Sequence, residues 1–135
     1  LHQVTKTVQK PKSVSRIERK NYFLKQLHEV LNQKGYKKSE CKKVELELKR
    51  IINYFMNYTD IKKVTEIKLE HVIKYMKHSI EVSYLELSIK ELKNEVILLQ
   101  FALKGYTRED LSIDLSISNF NLWTQLLPRK SVSGS

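Results

Sequence analysis

Turn-forming residues are scarce in this sequence, with three glycines and two prolines among 135 positions. That shortage leaves β-hairpins and long loops little to draw on and favours helices. Cys41 is the sole cysteine, which excludes an internal disulfide framework and a cysteine-built metal site and suits an intracellular protein. Apolar runs are short as well. None approaches the roughly 18 residues that cross a bilayer, and His2 to Lys12 lacks the apolar centre of a secretory signal. Leu1 rather than Met opens the chain, so a segment excised from a longer protein is expected. GxSxG, HExxH, a glycine-rich phosphate loop and CxxC do not occur. His71 and His78 stand seven residues apart, two helical turns and too far for one metal ion, and His28 has no second ligand at metal spacing. Tyr54, Tyr58, Tyr75 and Tyr84 fall at helix edges, where amphipathic packing explains them. No catalytic residue, metal, cofactor or small-molecule ligand is therefore expected of this chain.

Positive charge is what the sequence has in excess. The net charge is +10, and it is uneven: residues 1–63 hold 16 Lys/Arg against 6 Asp/Glu, while residues 64–135 hold 9 against 9. Such an excess points to a polyanionic partner, nucleic acid first and an acidic membrane surface or acidic protein after it. The plainer alternative is that an AT-rich genome supplies the lysines and they only solubilise. Residues 1–15 carry Lys6, Lys10 and Lys12, Pro11 and no acid, which reads as a disordered basic arm or linker. The expected division is an arm over residues 1–18, a helical domain over 19–127 and a linker or tail over 128–135.

Hydrophobic residues make up 41% of the chain, enough for one core in a domain of this length. Helical periodicity predicts a helix from about Arg16 to Lys34, with Phe23, Leu27, Val30 and Leu31 inward, Ile17 joining from an early turn and Gly35 closing it. A second helix is predicted from an N-cap at Ser39 to about Tyr58, burying Val44, Leu48, Ile51, Ile52 and Phe55. Its solvent side holds Lys42, Lys43, Lys49, Arg50, Asn53 and Asn57, with Lys37 and Lys38 in the approach and a Glu45–Lys49 pair along it. Thr65 is the predicted cap of a third helix with Leu69, Val72, Ile73, Met76 and Ile80 inward. Ser88-Ile89-Lys90-Glu91 reads as the capping box of a fourth, running to about Lys104, stopped by Gly105 and central in the bundle. Thr107 to Asp110 reads as a weaker capping box. Ile113, Leu115 and Ile117 alternate in an extended segment across the bundle, and Asn119 to Leu127 reads as a last short helix anchored by Phe120 and Trp123 and closed by Pro128.

In this order the stripes resemble the core-binding, SAM-like N-terminal domain of the tyrosine recombinases, the phage integrases and their relatives. The match rests on Tyr22-Phe23-Leu24, Ser39-Glu40, Ile51-Ile52-Asn53-Tyr54-Phe55, Ile61-Lys62-Lys63-Val64-Thr65, Val72-Ile73-Lys74-Tyr75, Leu87-Ser88-Ile89 and Leu126-Leu127-Pro128-Arg129-Lys130. It covers about residues 19–130. The family often has a basic residue where this chain has Glu95-Val96-Ile97, and an Asn-Pro where it has Ser112 to Ser118. The resemblance implies a compact orthogonal all-α bundle of four to five helices that clamps double-stranded DNA, in a parent that is oligomeric on DNA. Strand cleavage would belong to a separate domain. It further implies that Lys37, Lys38, Lys42, Lys43, Lys49 and Arg50 neutralise phosphates while Ser88, Lys90, Lys93 and Asn94 approach the groove, where Asn94 can read an adenine edge. The compartment expected is the cytoplasm for a bacterial or phage protein and the nucleus for a eukaryotic one.

A second reading comes from Thr59 to Ile97, which loosely resembles the N-terminal bundles of transcription elongation factors. That resemblance implies a helical protein-interaction module of a nuclear, transcription-related protein. Its lysines would meet acidic peptide motifs and an exposed Phe/Tyr/Trp patch would anchor them.

Overall fold

A computed structural model describes residues 12–83 and 88–127. Residues 1–11 of the expected arm, Tyr84, the closing Pro128 and the tail lie outside the described residues, whereas residues 12–18, also expected in the arm, are helical and start the first helix a turn before Arg16. Among the described residues six α-helices follow one another: α1 (Lys12–Gln33), α2 (Lys38–Glu47), α3 (Lys49–Tyr58), α4 (Leu69–Ser83), α5 (Ile89–Leu103) and α6 (Phe120–Leu126), with a 3-10 turn at Val64–Glu66. Among the described residues there is no strand. The all-α class is as expected; the short last helix makes the fifth, and a sixth arises because the predicted second helix is divided in two.

The hub is α1. Phe23, Leu27, Val30 and Leu31 recur at helical spacing, all are buried, and they bring α1 against α2, α3, α5 and the 3-10 turn. Ile17 is 58% exposed and does not join them. At the far end Gly35 takes φ +96°, Tyr36 N–H returns to Leu31 O at 3.0 Å and Gly35 N–H to Asn32 O at 3.0 Å. This paired closure of a helix end uses the left-handed conformation that glycine adopts without a Cβ clash.

The chain re-enters a helix at once. Lys37, extended at φ −79° and ψ 164°, is the N-cap of α2, and its N–H donates to Glu40 Oε1 at 2.7 Å. Ser39, the predicted cap, therefore sits two residues past the cap, within the first turn. Cys41, Val44, Leu48, Ile51, Ile52 and Phe55 then form a buried stripe that runs through both α2 and α3, although the backbone leaves helical geometry at Leu48 (φ −98°, ψ 11°). Glu45 turns inward to His28 at 2.8 Å rather than outward to Lys49.

Beyond Tyr58 the chain is tied down by side chains. Thr59 Oγ1 donates to Phe55 O and accepts from Ile61 N–H, Glu66 accepts from the N–H groups of Lys62 and Lys63, and Gln26 of α1 accepts from Val64 N–H at 2.9 Å. Thr65 lies within the 3-10 turn and caps nothing. The first N–H of α4, at Leu69, goes instead to Glu109 Oε1 at 2.9 Å. The Thr107 to Asp110 stretch thus serves the N-terminus of another helix and starts none of its own.

The capping box before α5 forms as read: Ser88 Oγ accepts from Glu91 N–H, and Glu91 Oε1 accepts from Ser88 N–H, both at 3.1 Å. Helix α5 buries Leu92, Val96, Leu99, Ala102 and Leu103, yet Ile97 and Phe101 are exposed on its other side. It is one wall of the core; α1, not α5, occupies the centre. Asx turns at Asp110 and Asp114 carry the extended segment that follows, burying Leu111 and Leu115 and leaving Ile117 out. Trp123 anchors α6, with Nε1–H donating to Ser116 O at 2.9 Å. Phe120, expected to share that task, is 74% exposed. No described helix is long and apolar enough to cross a membrane.

Candidate nucleic-acid interface

The predicted cationic face stands on the outside of α2 and the first turn of α3. Cys41, Val44 and Leu48 point the opposite way into the core, which forces Lys42 and Lys43 outward by helical geometry, and Lys38, the first residue of α2, is exposed as well. Lys37, Lys38, Lys42, Lys43, Lys49 and Arg50 are all exposed. The ion pairs found among the described residues are His28–Glu45 and Lys77–Glu81, and neither uses one of these six.

Part of this face opens into a cleft of about 800 Å³ between α3 and α5, whose walls include Lys49, Arg50, Asn53 and Asn94. The start of α3 and the first half of α5 are therefore brought together. The same cleft contains Glu47, Glu91 and Glu95, so two cations face three carboxyl groups. Cationic character thus belongs to the outer edge of α2 more than to the cleft.

The four candidates on α5 separate. Asn94 is exposed in the cleft. Lys90 is exposed in the first turn. Ser88 uses its hydroxyl as the acceptor of the helix cap. Lys93 is half-buried and its Nζ lies 5.4 Å from the centre of the Trp123 ring, a cation–π contact that ties it to α6.

One group on the floor of this cleft escaped the sequence reading. Glu95 is 8% exposed; its Oε1 receives the hydroxyl of Tyr75 from α4, and its Oε2 receives Ile51 N–H at 3.2 Å. Ile51 is the third residue of α3, so a carboxylate from α5 caps the N-terminus that begins at the Leu48 break. Burial pushes the Glu95 carboxyl above the usual carboxylate range, opposed by the Tyr75 and Ile51 hydrogen bonds and by the charge of Arg50. Tyr75 is likewise pushed far up by burial and by Glu95. Its ring is core, not helix edge. The signal was in the sequence: Glu95 lies three residues after Leu92 and four before Leu99, on the apolar stripe.

The histidines are accounted for by their neighbours. His71 Nδ1 accepts from Lys68 N–H at 2.9 Å, and burial lowers its pKa. His78 packs on Tyr54 and Tyr58 with ring centres 5.1 and 4.9 Å away. Among the described residues no three His, Cys, Asp or Glu side chains converge on a metal-sized site. No protein-family model, curated sequence or solved structure matches the chain.

Proposed function

We propose that this chain is a DNA-binding domain of the core-binding kind found in site-specific tyrosine recombinases and integrases, holding duplex DNA through the outer face of α2 and the start of α3. The observation that carries the reading is the row of six exposed cations, Lys37, Lys38, Lys42, Lys43, Lys49 and Arg50, which take no part in the ion pairs found among the described residues and stand on helices whose other side is locked in the core. The helices fix the spacing of these cations, and phosphate contacts of this kind set the register of a protein on a duplex. The order of helices around it is the second support, with the capped α5 placed across the cleft from α3. In this reading Asn94 is the group nearest a base edge, Lys90 adds a phosphate contact, and Ser88 and Lys93 hold α5 in place. Strand cleavage is assigned to a separate domain of the parent. Titration against duplex DNA at several salt concentrations tests the proposal. Neutralising six phosphates gives a slope of log K on log salt of about −5; absence of duplex binding at low salt overturns it.

The peptide-binding alternative draws on a different observation: Phe101 and Phe120 are 64% and 74% exposed and the latter was expected to be an anchor of the core. Trp123, however, is buried, so the aromatic patch that reading needs is smaller than its sequence suggested.

A further inference from the structure

A second cationic groove, of about 830 Å³, lies between the N-terminal turns of α1 and the C-terminal end of α3, with Arg16, Arg19, Lys62 and Lys63 in its walls against Glu18 and Asp60. None of these four cations belongs to the face described above. Arg19 is structural in part: its guanidinium donates to Thr59 O at 3.1 Å and to Met56 O, closing the carbonyl end of α3. Lys62 and Lys63 are held in place from the backbone side, because Glu66 accepts both of their N–H groups at 2.8 and 3.2 Å, while their side chains are exposed. Arg16 and Tyr22 are exposed on the opposite wall.

The groove is connected to the first face by α3 itself. Arg50, Asn53 and Asn57 stand at i, i+3 and i+7 and share one side of that helix. Arg50 and Asn53 line the cleft with α5, and Asn57 lines the groove with α1. Seven residues at 1.5 Å each separate the two ends by about 10 Å, a span covering several backbone phosphates of a duplex. The three stripe positions carry no acid, and the carboxyl groups of Glu47, Glu91 and Glu95 line the cleft beside Arg50 and Asn53, so the duplex backbone runs along the outer side of the stripe.

We infer that this groove is a second phosphate-binding site, so that a nucleic-acid backbone passes from the α2 edge along Arg50, Asn53 and Asn57 to Arg16, Lys62 and Lys63. The inference rests on the DNA-binding reading and adds to it residues outside the predicted set. Charge complementarity chooses the occupant: four cations against two acids on a chain of net charge +10 suit a polyanion.

The test uses the whole chain and a duplex DNA titrated across a salt series, with Lys62→Glu/Lys63→Glu compared against wild type and against Lys42→Glu/Lys43→Glu. Glu66 is held by backbone N–H groups that the substitutions leave in place, but the Lys63 charge also acts on it, so thermal unfolding of each variant accompanies the binding measurement. Lys62→Gln/Lys63→Gln, which adds no acid, serves as a second version. Expected are at least a tenfold loss of affinity at low salt and a shallower slope by about two phosphates in both groove variants. Wild-type binding with unchanged affinity and slope in both overturns the groove and leaves the α2 face standing. Failure of the wild type to bind duplex overturns the DNA reading and the groove with it.

Discussion

Replacing Glu95 separates a structural carboxyl from a merely buried one. In Glu95→Ala the Tyr75 hydroxyl and Ile51 N–H lose their acceptor in a site that is 8% exposed. A buried donor without a partner costs about 1–3 kcal/mol, and Tyr75 keeps Ser79 as a remaining partner, so a net loss of about 2–4 kcal/mol is expected. Glu95→Gln behaves differently. Its carbonyl can accept Ile51 N–H while its amide donates to the Tyr75 oxygen, so the network survives without a charge. The wild-type carboxyl has a raised pKa in the fold. Its contribution is thus fully present below the unfolded carboxylate value and is lost as pH rises through the folded one. Urea unfolding followed by helical circular dichroism, from pH 4 to pH 8, reads this directly. Wild type should lose stability relative to Glu95→Gln as pH rises. A difference between the two that is constant across this range, or a loss in Glu95→Ala below about 0.5 kcal/mol, refutes the network.

Three further substitutions probe how the elements are held. Leu31→Ala empties a fully buried position where α1 meets its neighbours, and chemical denaturation should show a loss of about 2–5 kcal/mol. Gly35→Ala meets no atom within 4 Å, so only the backbone at φ +96° resists it; a loss of about 1 kcal/mol is expected in the same measurement, and a stabilisation would contradict the left-handed closure. Ser88→Ala removes the acceptor for Glu91 N–H and should cost about 0.5–2 kcal/mol, with amide exchange accelerating first in the opening turn of α5.

The sequence disclosed whatever was local. Periodic stripes located α1, α4 and α5, Gly35 and Gly105 marked two helix ends with φ +96° and +88°, and the Ser88–Glu91 box was readable because both partners lie within four residues. What depended on distant groups stayed hidden. The apolar stripe from Val44 to Phe55 is unbroken in sequence, while the carboxylate that takes Ile51 N–H is 44 residues away. Glu109 caps α4 from 40 residues downstream, which is why Thr65 had looked like the cap. Phe120 and Trp123 had equal claims as anchors of α6; only Trp123 has an N–H that reaches Ser116 O, and it is the one buried. For the site, outward lysines followed from inward Val44 and Leu48 by helical geometry. The acidic floor of the cleft and the diversion of Lys93 to Trp123 required the packing of α3, α5 and α6.

The most direct measurement on the central claim is the duplex affinity of Lys42→Glu/Lys43→Glu. These two positions are preferable to Arg50, whose charge acts on Glu95 and so mixes binding with stability. Both side chains are exposed on α2 and outside the ion pairs found, so helical content and unfolding should match wild type. With folding intact, affinity at low salt should fall at least tenfold and the salt slope should shrink by about two. Unchanged affinity and slope in a folded variant would contradict the assignment of α2 as the DNA-binding edge.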